Sequence, residues 1–357
     1  PPSSPGCSIN GGDMPDHSIA LARVRRAPVP APGARRGVAL ALGATGLWST
    51  TGIFIDPLVS RYHLTPVQLT FWRCLFVVAA LLVRSEVGSR RSKEGRASFF
   101  RLSTIDFRLS RREVPYYIAY GLGGLALFNV AWSASVAVNK AAVATALLYC
   151  APVFVALGAW ALYRERVSAA QGGAIAINLC GCALVAGASH ATAVMHNPTG
   201  LAWGLVSGAT YAAYTLFGKG AARLGRRGTP TVLFYTFGIA ALGLLAWGLL
   251  TQGPTLLTPR LDLWGWLLLL GLSLGPTLAG YALFTASLVH LSSTTASLLT
   301  TLEPPITAVL ALVLLGRAMN LSQWLGTALI VAGVLLMQAG AHTRRRVDDI
   351  RETRPAT

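Results

Sequence analysis

The chain alternates between long apolar runs and short polar breaks. Uncharged runs of roughly 18 to 25 residues are long enough to cross a hydrocarbon layer of about 30 Å as helices. Ten such runs occur, at residues 37–57, 66–83, 115–135, 141–162, 169–188, 199–218, 230–250, 263–286, 293–315 and 321–340. Their length and their Leu, Ala and Gly content favour helices over barrel strands, because a helix satisfies its own backbone in lipid. The pattern predicts an all-α integral membrane protein with ten transmembrane helices.

A pair of neighbouring runs occurs twice along the chain. Residues 147–186 and 299–338 each contain two apolar segments around a short polar break. The rarer residue types agree between the copies in the pairs Pro152 and Pro304, Gln171 and Gln323, and Gly181 and Gly333. Each half holds five runs, an odd number, so the second half enters the membrane in the opposite orientation. The sequence therefore predicts two inverted five-helix repeats, residues 37–188 and 199–340.

Composition excludes a water-soluble globular protein. Apolar residues make up 53% of the chain and charged residues only 12%, with a mean hydropathy of +0.54. No soluble fold could cover so much apolar surface with so few charges. The lipid bilayer is therefore an expected partner.

The net charge of +17 is distributed unevenly across the predicted membrane. Of the 30 Lys and Arg residues, 25 fall on one side of the ten runs, four fall on the other side, and Arg73 lies within a run. Basic residues accumulate on the cytoplasmic side of membrane proteins, so both termini are expected in the cytoplasm. Residues 1–36 are predicted to be a disordered basic tail, and residues 341–357 a second basic tail. Because this bias explains the charge, nucleic acid is not an expected partner.

Residues around the polar breaks follow a known pattern. Residues 165–171 read Glu-Arg-Val-Ser-Ala-Ala-Gln, and Glu303–Pro304 opens the second copy. With Trp48 and Arg73, these residues resemble the drug/metabolite transporters built from two EamA-type domains, although Arg317 stands where that family usually has an acid. The resemblance covers nearly all of the apolar chain. It implies a metabolite permease, a monomer or a loosely associated homodimer, often an exporter of amino acids or drugs.

Glu303 is the only acid near the middle of a predicted span. A carboxylate is costly there unless it is paired, solvated or protonated, so it marks a functional position by default. Two roles are open: binding of a substrate amine, or transfer of a proton. A third, structural role is hydrogen bonding to backbone groups freed beside Pro304 and Pro305.

Arg73 is the only base well inside a predicted span. It is expected to form a charge pair with Glu303, to bind a substrate carboxylate, or to extend its long stem to water on the outer side. These three alternatives remain open from the sequence.

Prolines interrupt two of the runs. Pro152, Pro304 and Pro305 each lack a helical N–H, so kinks are expected that leave carbonyls facing a cavity or a neighbouring helix. Polar and aromatic residues expected to share that cavity are Trp48, Asn129, Ser133, Tyr149, Tyr211, Tyr214, Tyr281 and Glu303. Each alone is consistent with ordinary packing, and together they predict a pocket for a small amphipathic molecule.

Three functional classes fit a membrane protein of this size: a small-metabolite permease, a lipid or lipid-linked carrier translocase of the same superfamily, and a membrane enzyme. The sequence has no HExxH motif and no Ser-His pair in the spans, so an enzyme, a metal and a cofactor are not expected. No ATPase motif occurs, so a proton or substrate gradient must supply energy. We expect an alternating-access permease that exports amino acids or related amphipathic compounds across a bacterial inner membrane.

Overall fold

The structure is a computed structural model that describes residues 33–93, 105–186, 197–225, 227–315 and 319–352. In these ranges it is all helical, without β-strands. The helices of the first half are α1 (Ala34–Ser49), α2 (Thr51–Ser60), α3 (Pro66–Lys93), α4 (Val114–Ile118), α5 (Leu127–Leu148), α6 (Ala151–Tyr163) and α7 (Ala169–Ala186). Those of the second half are α8 (Pro198–Leu224), α9 (Thr229–Gln252), α10 (Leu263–Leu272), α11 (Gly280–His290), α12 (Ser293–Thr300), α13 (Glu303–Leu315) and α14 (Leu321–Glu352).

Seven helical stretches among the described residues are long and apolar enough to cross a membrane. They are Ala34–Ser60, Pro66–Val87, Val114–Asn139, Val143–Tyr163, Thr229–Leu257, Leu263–His290 and Leu321–Ala339. Each coincides with one of the ten predicted runs. The other three runs are also helical but fall outside this set: run 169–188 contains a shorter apolar helix, run 199–218 lies in α8, and run 293–315 is divided between α12 and α13. Length and composition thus support seven crossing helices, fewer than the ten predicted.

The predicted tails differ from the observed helix bounds. Residues 1–32 of the first tail lie outside the described residues, and α1 begins at Ala34, before the predicted end of that tail. The final helix α14 continues to Glu352, into the second predicted tail. The first and last apolar runs therefore continue as helices into the basic segments beside them.

Within the described part of the chain, two π-helical turns interrupt the bundle helices, one in each half. The first spans Ala119–Ala126 and the second Ser273–Ala279. In the second, Pro276 has no N–H to donate, which frees the carbonyl of Leu272 four residues earlier. The Thr277 hydroxyl donates to that carbonyl at 2.9 Å. Pro276 within an apolar run was the sequence signal for this turn, and the prediction missed it.

The long helices pair across the two halves of the chain. The most extensive contacts join α7 with α14, α5 with α8, α1 with α11, and α3 with α9. Small residues permit a close approach between α7 and α14. A Cβ atom added at Gly326 would lie 2.5 Å from the carbonyl oxygen of Gly181 and 2.8 Å from the backbone nitrogen of Val185. The two halves therefore share one core.

Polar contacts join loops and helix ends at one end of the bundle, termed the basic end. The Arg223 guanidinium donates to the Glu165 carboxylate at 2.7 Å. Nearby, Arg227 forms ion pairs with Glu113, at 2.8 Å, and with Asp106. The Glu113 and Asp106 carboxylates raise the pKa of Arg227 further above its usual value.

A second set of contacts lies at the opposite end. The Tyr62 hydroxyl donates to Asp262 at 2.5 Å, and the Thr65 hydroxyl donates to the Gln252 side chain at 2.9 Å. Asp262 also caps α10 by accepting from the backbone N–H of Gly265 at 2.8 Å. These hydrogen bonds lower the pKa of the Asp262 carboxyl group, the one from Tyr62 most strongly.

Candidate functional site

A cavity with a volume of about 120 Å³ lies between the two halves. Eight of the residues singled out from the sequence line it: Trp48, Arg73, Asn129, Tyr149, Pro152, Tyr211, Tyr281 and Glu303. The structure therefore brings together residues that are spread over most of the chain.

Nine further lining residues were not predicted from the sequence: Thr51, Ile55, Phe128, Trp132, Thr145, Leu148, Ala151, Ser297 and Thr300. Most lie within about two helical turns of a predicted residue. Thr51 and Ile55, for example, follow Trp48 by one and two turns, at the spacing that shares a helix face. Extending the Trp48 position by helical periodicity would have found these two residues.

Four predicted residues lie outside the cavity lining. The Ser133 hydroxyl donates to the Asn129 carbonyl in its own helix at 2.7 Å. Tyr214 is fully buried, with its hydroxyl 3.4 Å from the Thr285 hydroxyl. Pro304 and Pro305 lie in the first turn of α13, where a missing N–H costs nothing.

Glu303 owes its position to a break between α12 and α13. Its backbone carbonyl accepts a hydrogen bond from the Ser49 hydroxyl at 3.3 Å, and the Thr307 hydroxyl donates to the Ser49 carbonyl at 3.3 Å. Ser49 at the end of α1 is thereby hydrogen-bonded to two residues in the first two turns of α13. Glu303 is the first residue of that helix, where the N-terminal dipole favours a carboxylate. The Tyr149 hydroxyl interacts with the same carboxyl group.

The corresponding break in the first half lies between α5 and α6. Tyr149 and Cys150 form the turn, and Pro152 lies in the first turn of α6. Ala151 occupies the position that corresponds to Glu303 in the sequence repeat, and both residues line the cavity. The two halves thus present similar backbones and different chemistry at this wall.

Arg73 is held by the π-helical turn in the second half. Its Nε donates to the Thr277 hydroxyl at 3.0 Å. Among the described residues no carboxylate forms an ion pair with Arg73. The direct pair with Glu303, one of the three alternatives for Arg73, is therefore not formed, and both side chains line the same cavity.

Aromatic rings form the floor of the cavity around Trp48. Its ring centroid lies 5.1 Å from that of Tyr281, 5.2 Å from that of Phe284 and 6.4 Å from that of Tyr211. Trp48 Nε1 and Ser297 Oγ are buried without a hydrogen-bond partner among the described residues. The floor is therefore mainly apolar, with unused polar atoms within it.

Buried aromatic side chains separate this floor from the basic end. Tyr120 lies with its ring centroid 5.0 Å from Tyr214 and 5.6 Å from Phe217. Closer to the basic end, the Lys219 ammonium donates to the carbonyls of Leu288 and Leu291 at 2.8 and 2.6 Å. These buried contacts lie between the cavity and the basic end.

A helical bundle with several membrane-length helices and a charged cavity between its halves defines a multi-pass membrane protein of the transporter class. The chain belongs to the EamA-like transporter family, whose model matches residues 35–187 and again residues 198–338. The family domain therefore occurs twice. This confirms the resemblance inferred from the sequence motifs.

Curated relatives have the same general character. The chain is 24% identical to an uncharacterized inner membrane transporter, YicL, of Salmonella typhimurium, over 87% of this chain and 98% of the relative. It is 29% identical to an uncharacterized transporter of Archaeoglobus fulgidus, over 60% of this chain and 74% of the relative. A crystal structure of another protein, 20% identical, aligns with a TM-score of 0.66 over 87% of this chain and 98% of that chain. That last match shows a shared fold.

Proposed function

We propose that this protein is a secondary transporter that works by alternating access and exports amino acids or related amphipathic metabolites from the cytoplasm. The observation that supports the proposal is the central cavity, which contains both charged side chains and is separated from the basic end by buried aromatic residues. We propose that the basic end lies in the cytoplasm with both termini, as the positive-inside rule predicts. In a bacterial inner membrane the cavity would then face outward.

Alternating access requires two halves that can exchange conformations, and we propose ten transmembrane helices in two inverted repeats, residues 37–188 and 199–340. The helix pairing supports this arrangement. Helix α1 of the first half packs against α11 of the second, while α8 of the second packs against α5 of the first. Reciprocal pairs of this kind are expected around a pseudo-two-fold axis.

Transport is proposed to be driven by a proton gradient or by the gradient of the substrate itself. Glu303 is the group in the cavity that can exchange a proton or bind an ammonium group. The partners are the substrate, protons and the bilayer, and the protein is proposed to act as a monomer or a loosely associated homodimer.

The decisive experiment is flux from proteoliposomes loaded with a panel of radiolabelled amino acids, with and without an imposed pH gradient. Flux of at least one amino acid above that of protein-free liposomes is expected. Dependence of that flux on the pH gradient would identify protons as the coupling ion. Absence of flux for the whole panel would contradict amino-acid export and would favour a lipid or lipid-linked carrier translocase.

The contacts of Glu165 are expected to stabilise the closed arrangement of the helices at the basic end, and this set of contacts is termed the latch. Its carboxylate accepts from Arg223 and also from the backbone N–H of Ser293 at 3.2 Å, so it joins the end of α6 to α8 and α12. Replacement of Glu165 by Gln removes the ion pair. Because the pair is partly exposed, a loss of about 1 kcal/mol is expected, or roughly a fivefold rise in the ratio of open to closed states at this end.

Pulsed electron paramagnetic resonance can measure this change. Spin labels are attached at Val167→Cys and Leu224→Cys, two exposed positions, after the native cysteines have been replaced. The distance between the labels reports the separation of the end of α6 from the end of α8 at the basic end. Glu165→Gln is expected to add a longer distance component, and Arg223→Gln is expected to do the same. Combining the two substitutions should add little to either alone. An unchanged distance distribution in both single variants would exclude the latch.

A further inference from the structure

Among the described residues, the cavity lining contains one basic side chain, Arg73, and one acidic side chain, Glu303, which are not paired with each other. Arg73 extends from α3 and Glu303 from the start of α13, and both line the same cavity. Two opposite charges in a site of low polarity attract strongly, yet no ion pair joins them. The fold holds them apart, which leaves each charge available to a ligand.

The hydrogen bonding of Arg73 fixes the guanidinium and leaves most of it free. Only Nε is used, by the Thr277 hydroxyl, and the two terminal nitrogens have no hydrogen-bond partner among the described residues. A guanidinium with free terminal nitrogens matches the two oxygens of a carboxylate. The Thr277 contact orients this group, because Thr277 is itself tied to the Leu272 carbonyl.

The environment of Glu303 suits a positive group. An ionised carboxylate only accepts hydrogen bonds, whereas an ammonium group only donates them. Among the described residues, the Tyr149 side chain hydrogen-bonds to the carboxyl group, which has two oxygens and several acceptor positions. An ammonium group at Glu303 would therefore meet unused acceptors.

The space between the charges is walled by apolar side chains. Trp48, Phe128, Trp132 and Tyr211 contribute rings, and Ile55 and Leu148 contribute aliphatic surface. Such walls favour an uncharged apolar body over additional polar groups. The lining therefore has three parts: a group that can bind a carboxylate, a group that can bind an ammonium ion, and an apolar wall.

We propose that Arg73 and Glu303 are the specificity-determining residues of the cavity and that they read opposite ends of one dipolar substrate. Arg73 binds the carboxylate, Glu303 binds the ammonium group, and the aromatic and aliphatic wall encloses an apolar side chain. The proposal rests on the proposed transport function and assigns its substrate class. A ligand that lacks either charged group leaves one buried charge of the site unpaired. The free-energy cost of that unpaired charge makes the site discriminate strongly against such ligands.

Binding to the purified full chain in detergent tests this assignment without requiring transport. The probes are two matched sets: L-leucine with 3-methylbutylamine and 4-methylpentanoate, and L-phenylalanine with 2-phenylethylamine and 3-phenylpropanoate. In each set the amine lacks the carboxylate and the acid lacks the ammonium group. For at least one set, wild-type protein is expected to bind the amino acid at least about tenfold more tightly than either analogue.

The variants give a crossed pattern that a merely structural role would not produce. Arg73→Gln is expected to remove the preference over the amine while keeping the preference over the acid. Glu303→Gln is expected to do the reverse, and Arg73→Lys to retain part of the preference that Arg73→Gln loses. Ser133→Ala, which lies outside the cavity lining and bonds within its own helix, is the matched control and should behave as wild type.

Three results would overturn the assignment. These are binding of all three ligands of both sets within twofold of one another, equal weakening of all three ligands by either Gln variant, and no binding of either amino acid up to about 10 mM. Flux without the crossed pattern would remove the assignment and leave the transport function in place. The crossed pattern without flux would do the opposite, so the two proposals fail separately.

Discussion

Replacement of Glu303 by Gln is expected to reduce gradient-driven flux by at least about 30-fold and to make the residual flux independent of pH. Gln has nearly the same shape but can neither exchange a proton nor neutralise an ammonium group. The variant loses the charge pair between Glu303 and the ammonium group of the substrate. Losing one partner of a buried charge pair costs about 2 kcal/mol or more, which corresponds to a factor of about 30. The measurement is flux from proteoliposomes between about pH 5.5 and 8, with the amounts of reconstituted protein matched.

The same variant is expected to fold normally. The backbone contact from Ser49 is unaffected by the substitution, and a Gln side chain can still bond to Tyr149. Its apparent melting temperature in detergent should therefore stay within a few degrees of wild type. Unchanged, pH-sensitive transport by Glu303→Gln would remove Glu303 as the proton carrier, and a large loss of thermal stability would favour the structural role beside the prolines.

Substitution of Gly326 by Ala is expected to produce the largest loss of stability from a single methyl group. The added carbon would lie 2.5 Å from the Gly181 carbonyl oxygen, a backbone atom that cannot turn away. Helices α7 and α14 would have to separate, and overpacking of this kind costs about 1 to 3 kcal/mol. A fall of roughly 5 °C or more in the apparent melting temperature is expected.

Gly172→Ala provides the matched control, because it adds the same methyl group to α7 at a position with open space around it. It should be neutral or slightly stabilising, since Ala favours helix more than Gly does. If Gly326→Ala and Gly172→Ala melted at the same temperature, the close approach of the two helices would not contribute to stability. Size-exclusion profiles in detergent would separate altered packing from aggregation.

Much of the architecture followed from apolar periodicity and charge placement. The all-helical class and the positions of seven membrane-length helices were predictable because lipid demands long uncharged runs whose backbone bonds are internal. The duplicated family domain was visible in the paired prolines and glycines. The exact helix ends were not, because α14 continues into a charged segment that hydropathy assigns to a tail.

The cavity was predictable in part, because only some of its residues are of types that are unusual within an apolar run. Charged and aromatic residues within apolar runs stand out, so Arg73, Glu303 and Trp48 were found. Ser297 and Thr300 did not stand out, since small hydroxyl residues are common in apolar helices and only the fold brings them to the cavity wall. Tyr214 was misplaced because an aromatic residue one turn from Tyr211 can lie on either side of the cavity floor.

The cross-half pairing of helices has a consequence for biogenesis. Helices α1, α3 and α5 of the first half find their main partners in α11, α9 and α8 of the second. The ribosome delivers the first half to the membrane before those partners exist, so Arg73 and Asn129 enter the bilayer before their surroundings are complete. A membrane chaperone or the insertion machinery would have to shield these polar faces until synthesis ends, and the two halves cannot mature as independent folding units.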